Sequence, residues 1–303
     1  MAVCYRHTNR ETGVSCSNCG NPICPDCMTA TPVGMRCPDC SKQKTQVRSL
    51  RTMHADPTAT YVLIAINVLL WVGTFVSGGG SVYDDFSLLA AALSNEGGEV
   101  GVAAGQWWRL VTGGFLHSPG NPLHLAFNMY VLYWLGTMLE PVLGRARFLG
   151  LYFASLLAGS FGALLLTEPN RATVGASGAV FGMMAAAFVF QKARGVDPMQ
   201  SGIGPVILLN LGITFIIPNI SIGGHLGGLV GGAIAALAID RLGSLRRGVA
   251  GPVLACAAIA VVAAVAAVIV SSQKAAEIGL AERGSDPHAP VALTHPPGTG
   301  QRP

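Results

Sequence analysis

Seven apolar runs follow one another from Thr58 onward, at 58–77, 122–139, 148–167, 173–190, 203–217, 222–239 and 251–270. Each is near the roughly 20 residues that a helix needs to cross a bilayer, because inside lipid the backbone must satisfy its own hydrogen bonds. The composition agrees: 51% of the residues are hydrophobic and 11% charged, far from a water-soluble average. An all-α polytopic membrane protein follows. The fifth run is the shortest and carries Asn210, so it is expected to be tilted, broken or buried against its neighbours. A net charge of +4 is scattered along the chain, which gives no case for nucleic-acid binding.

Charge placement orients the bundle. Lys42, Lys44, Arg48 and Arg51 precede the first run, Arg145 and Arg147 follow the second, Lys192 and Arg194 the fourth, and Arg241, Arg246 and Arg247 the sixth. All of these fall on one side, while the opposite loops hold little beyond Arg109 and Arg171. The positive-inside rule puts the N-terminus in the cytoplasm and the C-terminus outside. With no charged-then-apolar leader opening the chain the head is expected in the reducing cytoplasm, and the Gly/Ala-rich composition without an organelle-targeting segment makes a bacterial plasma membrane the expected location. The tail, 272–303, is polar and proline-rich and reads as disordered.

Seven of the eight cysteines precede residue 41. They form four pairs with His7: Cys4 and His7, Cys16 and Cys19, Cys24 and Cys27, Cys37 and Cys40. Eight soft ligands in four two-residue-spaced pairs fit two structural zinc ions, and about 40 residues are too few to fold on apolar burial alone. A disulfide cluster would leave one cysteine over. The spacing of the pairs resembles the cross-braced B-box and RING modules, in which the first and third pairs share one metal. That resemblance assigns Cys4, His7, Cys24 and Cys27 to one zinc and Cys16, Cys19, Cys37 and Cys40 to the other, with sequential pairing as the alternative. The expected organisation is a zinc-binding head at 1–41, a docking or sensing module that could restrain activity, recruit a cytoplasmic protein partner or locate the protein, then a linker at 42–57, a six-helix core at 58–240, a seventh span with its loop at 241–271, and the tail.

The second, fourth and sixth runs all start at the outer face, and each begins with an unusual polar residue. His124 and Asn128 open the second, Ser177 the fourth and His225 the sixth. At about 1.5 Å per residue these four share one layer below the outer surface. Gly178 and Gly182 beside Ser177, and Gly224, Gly228 and Gly232 around His225, recur every four residues, a pattern that lets helix backbones approach closely in lipid. Contact between those faces brings a hydroxyl to an imidazole, the minimum for nucleophilic acyl transfer. His124 and Asn128, four apart on one helix face, and the Ser177 N–H at a helix start are then candidate oxyanion donors.

These motifs resemble those of the rhomboid intramembrane serine proteases. "GASG" at 175–178 matches the family's GxSG, "HLAFN" at 124–128 its His-x3-Asn, and "GHLGGLVGG" at 224–232 its sixth-helix pattern. "WWR" at 107–109 and "GTMLEPVLG" at 136–144 match its first-loop and turn signatures. The resemblance covers about 58–240. It implies a six-helix fold with an added seventh span, transmembrane protein substrates, no cofactor for the chemistry, and a dyad of Ser177 as nucleophile and His225 as base. It also implies His124 and Asn128 in the oxyanion hole, Gly175, Gly178 and Gly228 as supports, and Phe181 beneath the imidazole, where many members carry Tyr. Gly224 stands where Ala is usual. His117, Glu140 and Arg109 read as architectural, with His117 expected to hold the first loop by a hydrogen bond and Glu140 to bond loop backbone at the cytoplasmic end. Cys256 reads as inert core. A silent membrane-protein binder would usually lack Ser177 or His225, a transporter would need polar residues through the whole bundle depth, and a zinc metalloprotease would need HExxH.

Overall fold

The computed structural model describes residues 2–31, 34–42, 56–76, 80–94, 98–218, 220–245 and 248–279. The chain divides into two compact units, Met1–His54 and Ala55–Pro303. Most of the expected linker, with Lys44, Arg48 and Arg51, lies outside the described residues, as do Arg246, Arg247 and 280–303.

The first unit is held together by turns around cysteines rather than by an apolar core. Two antiparallel ribbons, Ala2–Val3 with Glu11–Thr12 and Thr29–Thr31 with Gly34–Arg36, carry the ligand pairs on their flanks. Cys24 and Cys37 each precede a short helical turn, Pro25–Cys27 and Pro38–Ser41, with Pro at the first position, where its missing N–H is not needed. Ile23 is the fully buried aliphatic residue among the cysteines, far too little for stability alone.

All seven apolar runs form helices: α1 (Thr58–Val76), α2 (Pro122–Leu143), α3 (Arg145–Leu166), α4 (Ser177–Ala193), α5 (Ile203–Ile216), α6 (Ile222–Leu245) and α7 (Ala250–Glu277). α1, α3, α6 and α7 are long and apolar enough to cross a membrane; α4 and α5 are shorter apolar helices. α3 sits at the centre and packs against α6, α7 and α4. Leu254, Val261, Val262, Val265 and Ile269 remain exposed on α7, an apolar row suited to lipid. The long segment between α1 and α2 adds short helices at Gly80–Phe86 and Arg109–Thr112 and a ribbon pairing Ala92–Leu93 with Glu99–Val100, none of which the apolar pattern announces.

Close approach through glycine extends further than the sequence reading allowed. α4 and α6 do meet along Gly178, Gly182, Gly228 and Gly232, and α3 joins them: a Cβ at Gly159 would lie 3.0 Å from the Gly178 Cα and 3.1 Å from the Gly224 carbonyl, while one at Gly162 would run into the Gly223 carbonyl. Three backbones therefore converge, and packing takes over from the hydrophobic effect as the attraction. At Gly228 an added methyl would strike the Gly178 carbonyl, which is helix backbone and cannot step aside. Gly228→Ala is expected to destabilise the bundle by at least about 1–3 kcal/mol, the range for overpacking. A lowered melting temperature in detergent checks this, with Gly243→Ala as control, since nothing lies within 4 Å of a Cβ there.

Buried ionic groups tie the ends. Glu140 accepts from the Ala59 N–H at 2.9 Å and from the Thr60 N–H and Oγ1 at 2.8 and 2.7 Å, so this carboxylate on α2 caps the start of α1, where helix N–H groups lack partners. Arg109, 1% exposed, donates to the Asp84 and Ser87 carbonyls and the Gln106 side chain, binding the first loop together. Cys256 is buried against Gly150.

Several boundaries differ from expectation, with α2 running on to Leu143 and α3 starting at Arg145. α4 begins at Ser177, four residues late, because Gly175 takes φ +129° and donates to the Gly113 carbonyl while Thr173 bridges to Leu88. α6 runs to Leu245, past 240. α7 continues through Glu277, so 272–277 is helix rather than disordered tail: Ser271 and Ser272 bond back to the carbonyls of Ala267 and Val268, and Lys274 reaches the Thr167 carbonyl. Gln, Lys, Ala and Glu there are good helix formers.

Candidate active site

Ser177 is the first residue of α4 and His225 the fourth of α6. The glycine contacts that seat α4 on α6 put the Ser177 Oγ 2.8 Å from the His225 Nε2. That is full hydrogen-bond distance between a hydroxyl and an imidazole. The Phe181 ring, one turn along α4, stacks on the His225 ring at a centroid distance of 4.1 Å and 20° between planes. Stacking fixes the ring plane, and the other ring nitrogen, Nδ1, lies 2.7 Å from the Thr214 Oγ1 of α5. His225 and Thr214 are both buried.

A cavity of about 930 Å³ opens over this pair, lined among others by His124, Asn128, Gly175, Ser177, Thr214 and His225. Gly175 separates His124 from Ser177. A Cβ there would lie 2.9 Å from the His124 Cε1, 3.2 Å from its Nε2 and 3.7 Å from the Ser177 Oγ. With φ +129° as well, the position accepts only glycine without strain. Asn121 caps α2 by accepting from the His124 N–H, which sets the entry of that helix beside the cavity. Asn128, one turn below, is buried and donates from Nδ2 to the His124 carbonyl at 2.9 Å. An amide nitrogen carries two hydrogens, so one remains for the cavity. The Ser177 N–H, first in its helix, points along the positive end of the α4 dipole.

His117 departs from expectation. It is fully buried, and neither ring nitrogen has a hydrogen-bond partner among the described residues; its ring packs 5.2 Å from that of His124. His117 props the His124 ring instead of bonding the loop, because its loop folds the imidazole inward against α2. Thr214 was missed altogether. The available signal was its position four residues after Asn210 in a membrane helix, a spacing that puts both on one face.

In the first unit the ligand atoms of Cys4, His7, Cys24 and Cys27 lie within 4.8 Å of one another, as do those of Cys16, Cys19, Cys37 and Cys40. The first and third pairs thus share one cluster and the second and fourth the other. His7 Nδ1 lies 3.3 and 3.4 Å from the Cys24 and Cys27 sulfurs, and the Cys19 and Cys37 sulfurs are 3.8 Å apart. A tetrahedral ion with metal–sulfur bonds of about 2.3 Å and metal–nitrogen bonds of about 2.0 Å requires ligand edges of roughly 3.5–3.8 Å. Both clusters therefore have the donors and the spacing for a metal ion. Backbone N–H groups of Cys19 and Cys37 pull the Cys16 thiol down to about 6, whereas burial and the neighbouring Cys24 and Cys4 push Cys27 up to about 11. Three thiols beside His7 in one cluster, or four in the other, do not all ionise without a cation between them.

One family model and several known proteins resemble this chain. A family model described as Rhomboid domain matches residues 104–242. Rhomboid protease GluP of Bacillus subtilis (strain 168) is 34% identical over 199 residues, covering 64% of this chain and 38% of that protein. YdcA, a second rhomboid of that strain, is 33% identical over 185 residues, 58% of this chain and 85% of YdcA. Rhomboid-like protease 1 of Toxoplasma gondii is 30% identical over 197 residues, 61% and 66% of the two chains. With most of YdcA matched and a rhomboid model seated on the helices that carry the Ser177–His225 pair, the chain belongs to the rhomboid family.

Proposed function

We propose that this protein is an intramembrane serine endopeptidase that hydrolyses a peptide bond in or near the transmembrane segments of other membrane proteins. The observation that carries the reading is the 2.8 Å contact between the Ser177 Oγ and the His225 Nε2 at the wall of the cavity. Ser177 attacks the substrate carbonyl while its proton passes to Nε2, and the tetrahedral oxyanion takes hydrogen bonds from the Ser177 N–H, His124 and Asn128. The imidazolium returns the proton to the leaving amine. Water then enters, gives a proton to Nε2 as its oxygen attacks the acyl-enzyme carbonyl, and the Ser177 Oγ leaves with that proton as the second product is released. No carboxylate is needed beside the imidazole, because burial among α4, α5 and α6 already fixes the ring. The names of the bacterial and parasite relatives, which describe them as rhomboid proteases, support the same activity.

In this reading the core lies in the plasma membrane of a bacterium, with the N-terminal unit in the cytoplasm and the cavity opening outward. The basic residues that follow α2, α4 and α6 support that orientation. The two cysteine clusters hold structural zinc, whose chemistry suits closed sets of four soft ligands, and take no part in catalysis. The test is labelling of the purified full chain with a fluorophosphonate, followed by peptide mapping, alongside cleavage of a fluorescent transmembrane substrate in liposomes. The expected result is one adduct, on Ser177, and cleavage that the same probe blocks; a chain that neither reacts nor cuts overturns the reading.

A further inference from the structure

Thr214 sits at the far side of the His225 ring from Ser177, and its own hydrogen bonding bears on which nitrogen of that ring carries the proton. The Thr214 Oγ1 lies 2.7 Å from the Asn210 carbonyl and 2.7 Å from the His225 Nδ1. A carbonyl oxygen only accepts, and a threonine hydroxyl has one proton to give. That proton goes to Asn210, so the hydroxyl must accept from Nδ1. His225 is then protonated at Nδ1 and bare at Nε2, the nitrogen 2.8 Å from Ser177. Of the two neutral tautomers, this is the one that can take the serine proton.

We infer that Thr214 is a positioning residue for the proteolytic reaction, holding His225 in the tautomer in which Nε2 is the base; the role rests on the proposed protease reading. In the attack step the Ser177 proton moves to Nε2, the Oγ–carbon bond forms, and the Nδ1–H stays bonded to the Thr214 oxygen, which faces the new positive charge with its lone pair. When the C–N bond of the substrate breaks, the Nε2 proton leaves with the amine and the ring returns to its starting tautomer. Thr214 neither gains nor loses a proton. A neutral hydroxyl anchored to the α5 backbone thus does the orienting that an aspartate does in soluble serine hydrolases. It avoids placing a carboxylate in a membrane-embedded helix, where an unpaired charge is costly. Phe181 holds the ring plane and Thr214 its rotation, two constraints from two different helices.

The experiment compares Thr214→Val, which keeps the shape and loses the oxygen, with Thr214→Ser, which keeps the oxygen and loses a methyl group. Thr214→Val is expected to lower kcat about tenfold to a hundredfold, the range of one unmet buried hydrogen bond, with KM little changed and a modest fall in melting temperature from the same unmet bond. Thr214→Ser is expected to stay within a few-fold of wild type. A residue that only packs would give the reverse order, and that order overturns the inference. Solid-state 15N NMR of histidine-labelled full chain reads the tautomer without any turnover. Wild type should show His225 with Nδ1 protonated and Nε2 bare, and Thr214→Val should show a tautomer mixture. A wild-type ring protonated at Nε2 overturns the inference whether or not the protein cleaves substrate. A wild-type ring protonated at Nδ1 in a protein that cuts nothing upholds the assignment and removes the protease reading instead.

Discussion

Ser177→Ala is expected to abolish measurable cleavage, a fall of about 10⁴-fold or more, and His225→Ala to do nearly the same. The two losses should not add. Ser177 and His225 share one proton across a 2.8 Å contact, so once either is gone the other has nothing to act on, and the double variant should be no slower than the worse single one. Ser177→Ala removes a single oxygen at the start of α4, and the small residues that join α4 to α6 are untouched. Its melting temperature should therefore stay close to wild type. His225→Ala is the harsher change, because Phe181 loses the ring it stacks on, and its melting point must be read beside its rate. Cleavage of a transmembrane substrate in liposomes, with circular dichroism melting of each variant, is the measurement. Retained cleavage in folded Ser177→Ala would sink the nucleophile assignment, and additive losses would show that the two residues act in separate steps.

The second large effect falls on the N-terminal unit, where metal removal is expected to unfold residues 2–42. Ile23 and a handful of half-buried side chains cannot hold two short ribbons and two helical turns, and structural zinc contributes apparent folding energies of about 10–16 kcal/mol per ion. Atomic emission on the purified full chain should find two zinc ions per chain. A strong chelator should make the unit sensitive to limited proteolysis, and added zinc should reverse that. Because the four ligand pairs alternate between the clusters along the chain, Cys16→Ser should weaken both sites, one directly and the other through the shared loops. A chelated chain whose head resists protease, or one that binds no zinc at all, would overturn the structural role.

How far the sequence alone could be read depends on whether a feature is local. Seven helices followed from the apolar runs, four of them long and apolar enough to cross a membrane, since lipid leaves a backbone no other way to satisfy its polar groups. Four ligand pairs followed from two-residue spacing, and the meeting of α4 with α6 from a four-residue glycine period; each of these is carried by neighbours along the chain. Ser177 and His225 stood out because polar groups at the head of an apolar helix are rare. Their 48-residue separation became a contact only through the packing of glycines, a step that the period made readable.

Other features were decided only when helices met. Nothing near Thr214 in the chain shows that it faces His225, and nothing near Glu140 shows that its carboxylate caps α1 rather than a loop, because the partners come from helices whose rotation is set by packing. His117 was misread for the same reason: an imidazole in a loop looks available for a hydrogen bond until the loop folds it against His124. Gly159 and Gly162 matter only because α3 is the central helix, whose backbone meets α4 and α6 there. The sequence by itself determined that the chain forms seven apolar helices, four of them long enough to cross a membrane, after a cysteine-rich head, since length, polarity and spacing act locally. The tertiary structure alone decided which faces turn toward one another, and so gave the His225 imidazole a partner on each nitrogen.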